Sequence, residues 1–102
     1  MVRESAIESY AVRYFREQGW LCYKTDLGGG FYDHLFISPK AFHLYVEFKP
    51  PNKIKLSAAQ EMWATMMHER IWAGNKPYNV ALRGPINNRT EVRMLYSLYR
   101  NY

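Results

Sequence analysis

Glu47 and Lys49 are an acid and a base two residues apart in the run Tyr45-Val46-Glu47-Phe48-Lys49, whose composition predicts a β-strand. Side chains on a strand alternate between faces, so Tyr45, Glu47 and Lys49 project to one side and Leu44, Val46 and Phe48 to the other. The apolar set must face a core. On an exposed edge, Glu47 and Lys49 are an ordinary ion pair worth under about 1 kcal/mol. If both faces are covered, they must be paired or bound to an ion, because an isolated buried charge is too costly to keep.

Other acids converge on the same question. Ile7, Ala11, Val12 and Phe15 repeat at steps of three and four, predicting a helix from about Arg3 to Gln18 that Gly19 ends. At about 100° per residue, Glu4 and Glu8 fall inside that apolar stripe rather than opposite it. An inward carboxylate needs a reason. Ser5 followed by Glu8 fits a capping box, and a functional carboxylate is the alternative. Asp33 opens a predicted strand, Asp33 to Ser38, stopped by Pro39; the short connection through Lys40 and Ala41 suits an antiparallel hairpin to the strand Phe42 to Lys49.

Elsewhere, Trp20 to Thr25 reads as a first strand with Leu21 and Tyr23 on one face and Cys22 and Lys24 on the other. The following Gly28-Gly29-Gly30 lacks the Lys and Ser/Thr of a phosphate-cradling loop. Pro50 and Pro51 stop the third strand and lead into a basic loop containing Lys53 and Lys55. Ser57 with Gln60 is a second capping box, opening a helix through Trp63, Met66, Met67, Arg70 and Ile71 that Gly74 ends; its Met and Trp stripe reads as core packing. Tyr78 to Leu82 is a fourth strand. Thr90 is the expected cap of a last helix lined on one face by Val92, Leu95, Leu98, Tyr99 and Tyr102. The predicted order is αβββαβ with a trailing helix, an α/β fold on a mixed sheet.

At 102 residues the chain is sized for one domain, 1–102. Fourteen Lys and Arg against nine Asp and Glu give a net charge of +5, which favours a polyanionic partner without demanding one. The lone Cys22 cannot form an internal disulfide; with no membrane span and no secretory leader at Met1, an intracellular, cytoplasmic setting in a bacterium or a viral host cell is expected. His34, His43 and His68 lack the spacing of zinc ligands.

The residues Gly30-Phe31-Tyr32-Asp33-His34-Leu35-Phe36, Val46-Glu47-Phe48-Lys49 and Leu56-Ser57-Ala58-Ala59-Gln60, with a glutamate on the preceding helix, resemble the virus-type replication-repair nuclease (VRR-NUC) domain of the PD-(D/E)xK superfamily. The resemblance runs from about Ser5 to Leu82 and implies a restriction-endonuclease-like core. It implies that Asp33, Glu47 and the backbone carbonyl of Phe48 bind Mg²⁺ or Mn²⁺, and that Lys49 orients or activates the attacking water. Glu8, which follows Ile7 in the family's Ile-Glu pairing, would extend the metal site directly or through water. Gln60 would lie at its margin, and Lys24 stands where family members often carry a basic residue. The family usually has Pro before the Asp and often Arg after it; Tyr32 and His34 occupy those positions here, which bears on local geometry and phosphate contacts.

The implied chemistry is physically sound, because a hard cation held by carboxylates neutralises phosphate charge and lowers the pKa of bound water. Lys24, Lys53, Lys55, Arg16 and His34 are candidate nucleic-acid contacts, with Arg3 and Arg13 beside them; a solvated basic face is the alternative for the arginines and the loop lysines. The expected function is a metal-dependent DNA endonuclease, structure-selective for branched DNA or four-way junctions and acting as a homodimer. The competing expectations are a DNA-binding module of the same fold without catalysis, and a small interaction protein with surface ion pairs.

Overall fold

In a computed structural model of the chain, residues 4–25, 30–73 and 79–102 are described. Seven elements follow in order: α1 (Glu4–Glu17), β1 (Leu21–Lys24), β2 (His34–Ile37), β3 (His43–Phe48), α2 (Ala58–Ala73), β4 (Val80–Ile86) and α3 (Arg89–Tyr99). The strands form one mixed sheet in the order β1-β2-β3-β4, antiparallel through the first three and parallel between β3 and β4. A parallel pair needs a crossover, and α2 lies within it. This is the predicted α/β order with its C-terminal helix. Arg3, Gly28, Gly29, Gly74 and Tyr78 lie outside the described residues, as does the side chain of Ile71.

The core lies on one face of the sheet. Along β2 and β3, His34, Phe36, Leu44, Val46 and Phe48 are buried on that face, and Cys22 of β1 joins them. Ile7, Ala11 and Phe15 of α1, with Val92, Leu95 and Tyr99 of α3, close the core from above. Each fully buried side chain of this size stabilises the fold by about 1.5–3 kcal/mol. The Phe15 ring packs against Trp20, Phe36 and Tyr96. Because α1 is fixed by this stripe, the residues one and two turns before Ala11 are directed at the end of the sheet where β2 begins.

Four local expectations need correction. α1 is already helical at Glu4, so Ser5 is not its cap and Glu8 has no capping duty there. The cap of α3 is Asn88, not Thr90: its side chain accepts from the Glu91 N–H at 2.9 Å, while Glu91 Oε2 accepts from the Asn87 N–H. The Met and Trp stripe of α2 is core only in part: Trp63 and Met67 are half-buried, whereas Met66 is 55% exposed and Met62, on the turn before it, 65%. The Ser57–Gln60 capping box does form, with the Ser57 N–H donating to Gln60 Oε1 at 3.0 Å and the Gln60 N–H to Ser57 Oγ at 3.2 Å. Strand β4 runs on through Gly84 and Pro85, beyond the predicted end at Leu82.

Candidate metal and nuclease site

Strand β3 carries Glu47 to the sheet end that α1 overhangs. Its carboxylate is buried, with only 2% of the residue exposed, and Oε1 accepts the backbone N–H of Asp33 at 3.1 Å. The other oxygen lies 3.5 Å from Lys49 Nζ. The alternation of β3 therefore puts Glu47 and Lys49 on one face, and burial turns an ordinary pair into a constrained one.

The burial has a local cause. Residues Val46 and Phe48 of β3 pair with Arg83 and Ile86 of β4, so Gly84 and Pro85 bulge opposite Glu47. The backbone there is so close that a Cβ on Gly84 would stand 2.9 Å from Glu47 Cβ. Gly84 thus forms a lid that only a residue without a side chain can make. Sequence reading missed it, although an isolated glycine within a strand pattern is the usual signal of close backbone approach.

Carboxylate oxygens of Glu4, Asp33 and Glu47 lie within 4.8 Å of one another. The helix glutamate in this group is Glu4 rather than Glu8. Both share the row Glu4-Glu8-Ala11-Phe15, spaced to lie on one helix face, and Glu8 sits one turn farther along. There it approaches His34 Nε2 at 4.0 Å. Its pKa is raised to about 7 by burial and then by Glu4, with Lys24 pulling the other way. Burial likewise raises Glu47, and the Asp33 charge adds to it; the Asp33 N–H, the Gln60 side chain and Lys49 favour the charged form. The acids are held together at a cost in charge repulsion that a cation would relieve.

The remaining expected residues are distributed unevenly. Gln60 combines its cap on α2 with hydrogen bonding to Glu47. The Phe48 ring packs in the core against His34 and Phe36, leaving its backbone carbonyl between Glu47 and Lys49 in the chain. His34 is buried against Phe48, beside Glu8, rather than offered to solvent. Lys24 is exposed at the end of β1, paired in register with His34 and near enough to Glu8 to act on its charge. Arg16 donates to the Cys22 carbonyl at 3.1 Å and, with Arg13, Glu8 and His34, lines a shallow cleft of about 630 Å³ along α1. Lys53 and Lys55 are exposed in the loop after β3, where the Lys53 carbonyl accepts from Asn87 Nδ2. Tyr32, in place of the expected proline, is buried under Trp63, and its carbonyl accepts from Thr25 Oγ1 at 2.8 Å. The neighbouring Asp33 carbonyl is held by the Thr25 N–H at 2.6 Å, so the backbone at the acid itself is fixed without a proline.

No family model and no curated protein matches the chain. Among solved structures, a VRR_NUC domain is similar to it over 97% of this chain and 99% of that one, with a TM-score of 0.70 and 25% identity. The likeness spans every element described above. It bears out the resemblance read from the motifs: the chain has the fold of a VRR-NUC domain.

Proposed function

We propose that this chain is a metal-dependent endonuclease that hydrolyses phosphodiester bonds in DNA. One observation carries the reading: three carboxylates from α1, the start of β2 and β3 gather within 4.8 Å, with the Lys49 ammonium 3.5 Å from one of them. Similarity to a VRR_NUC domain supports it.

The donor set fits a hard divalent cation. All its donors are oxygens, the ligand type that Mg²⁺ and Mn²⁺ take, and they already lie within 4.8 Å of one another. Asp33, Glu47 and the Phe48 carbonyl would hold Mg²⁺ or Mn²⁺, with Glu4 completing the group from α1 and Glu8 behind it. Bound there, the cation supplies charge neutralisation at the phosphate and a more acidic water. Lys49, held in place by Glu47, would orient or activate the attacking water and steady charge on the phosphate. Gln60 and the Asp33 N–H hold the Glu47 carboxylate in place beside the other acids.

The substrate we assign is branched DNA or a four-way junction, and the active species a homodimer, because so small a domain covers little duplex alone and a symmetric pair sets two sites on opposite strands. The exposed Met62 and Met66 of α2 support a partner surface. The reduced, buried Cys22, whose thiol burial pushes up to about 11, suits an intracellular setting. Among the described residues no helix is long and apolar enough to cross a membrane. The test is an assay of linear, nicked, flapped and four-way DNA with Mg²⁺, Mn²⁺ or EDTA. Cutting should need the metal and favour branched substrates, and Asp33→Asn or Lys49→Ala should lower it by about 10²-fold or more while DNA binding persists. Cutting undiminished by excess EDTA sinks the reading; a monomer across the micromolar range in light scattering sinks the dimer.

A further inference from the structure

Beside the carboxylates stands an aromatic cluster that neither the metal nor the core requires. Trp63 of α2 lies 5.0 Å from the Phe31 ring, 5.1 Å from Tyr32 and 5.7 Å from Tyr45, centroid to centroid. Each member is tied in sequence to a site residue. Phe31 and Tyr32 immediately precede Asp33, Tyr45 shares the strand face of Glu47, and Trp63 lies one helical turn after Gln60. Tyr32 is buried, but Phe31 is 40% exposed and Trp63 half-buried, so an aromatic surface remains open to solvent.

The position of that surface is rigidly set. Gly30 has φ +89°, and a Cβ there would meet the Ala59 carbonyl oxygen at 2.5 Å, so Gly30 is pressed onto the first turn of α2. Phe31 cannot drift from Asp33, because two residues span at most about 7 Å. A stacked strand rises about 3.4 Å per nucleotide, which puts the ring within about two nucleotides of a phosphate at the acids. The exposed Lys53 and Lys55 precede the same helix and match the charge of a polynucleotide backbone.

We propose that Phe31, backed by Trp63, is a stacking platform for an unpaired nucleobase flanking the scissile phosphate. The inference rests on the reading that a polynucleotide lies across the carboxylates, and it adds that the strand is unstacked there. An aromatic face in water attracts any base, and its loss costs a single-stranded ligand far more than a duplex whose bases are already stacked.

The experiment measures binding of a fluorescent single-stranded oligonucleotide and its blunt duplex to the full chain in EDTA, by anisotropy, alongside cleavage by the unsubstituted protein in Mg²⁺ and in Mn²⁺. Phe31→Ala should weaken single-strand binding about 5- to 100-fold and duplex binding by less than about 3-fold, with Phe31→Tyr restoring most of the loss. Thermal melting of Phe31→Ala within a few degrees of the parent shows that the fold is kept, and a 2-aminopurine base in the oligonucleotide should lose its quenching in that variant. Equal affinity of Phe31→Ala and the parent for the single strand, or equal losses for both ligands, overturns the platform while metal-dependent cutting by the parent leaves the nuclease reading standing. Selective loss of single-strand binding by Phe31→Ala, when the parent fails to cut in either Mg²⁺ or Mn²⁺, upholds the platform and removes the nuclease.

Discussion

Glu4 and Glu8 show how one helical turn divides a role. Both lie in the row that continues into Ala11 and Phe15, and the choice between them turns on where α1 ends against the sheet. Glu4 completes the carboxylate group, whereas Glu8 sits behind it between Lys24 and His34. Calorimetric titration with Mn²⁺ should therefore find Glu4→Gln more damaging than Glu8→Gln, whose loss is that of an outer partner, about 10-fold. The reverse ranking would return the metal site to Glu8. A pH dependence also belongs here. The folded pKa of Glu8, about 7, lies above its ordinary value of 4.5, so between those values the folded state binds more protons than the unfolded one. Stability of the metal-free protein should fall as pH rises from about 4.5 to 7, and the raised pKa of Glu47 acts in the same direction. Melting temperatures taken in EDTA at pH 5 and pH 8 check this, and Glu8→Gln should flatten the trend.

At the scale of elements, the strand alternation around Glu47 and the helical row ending in Glu4 were both legible, because periods of two and of 3.6 are direct consequences of backbone geometry. Asp33 was legible as the start of a strand adjoining that of Glu47. What the sequence hid was contact between distant segments: the Gly84 bulge over Glu47 lies 37 positions away, and no local period records it. The exposure of Met62 and Met66 was hidden too, since a methionine on a core face and one on an open face look alike in one dimension. Two substitutions follow. Gly84→Ala forces a Cβ to 2.9 Å from Glu47 and should destabilise the fold by about 1–3 kcal/mol in urea, with loss of Mn²⁺ affinity. Gln60→Glu keeps the capping-box pattern yet sets a second anion against Glu47, so in EDTA it should melt near the parent at pH 5 and below it at pH 8.

For the molecule as a whole, a net charge of +5 supplies attraction to polyanions, while the acids make the site locally repulsive to phosphate until a cation is bound. DNA binding should then weaken steeply with salt, and Lys53→Ala should reduce the slope of log K against log salt by about one without changing substrate preference. A slope unchanged in that variant would remove the loop from the footprint.

The parallel pairing of β3 with β4 has a bearing on how the protein is made. The first three strands form a meander of short-range contacts, whereas β4 must return across the span that contains α2 before Gly84 can close over Glu47. Glu47 should consequently stay hydrated in any early intermediate, and tight capture of Mn²⁺ should coincide with the final phase of refolding. Stopped-flow records that follow ion uptake and tryptophan emission together would then show the ion lagging behind the first signal of compaction.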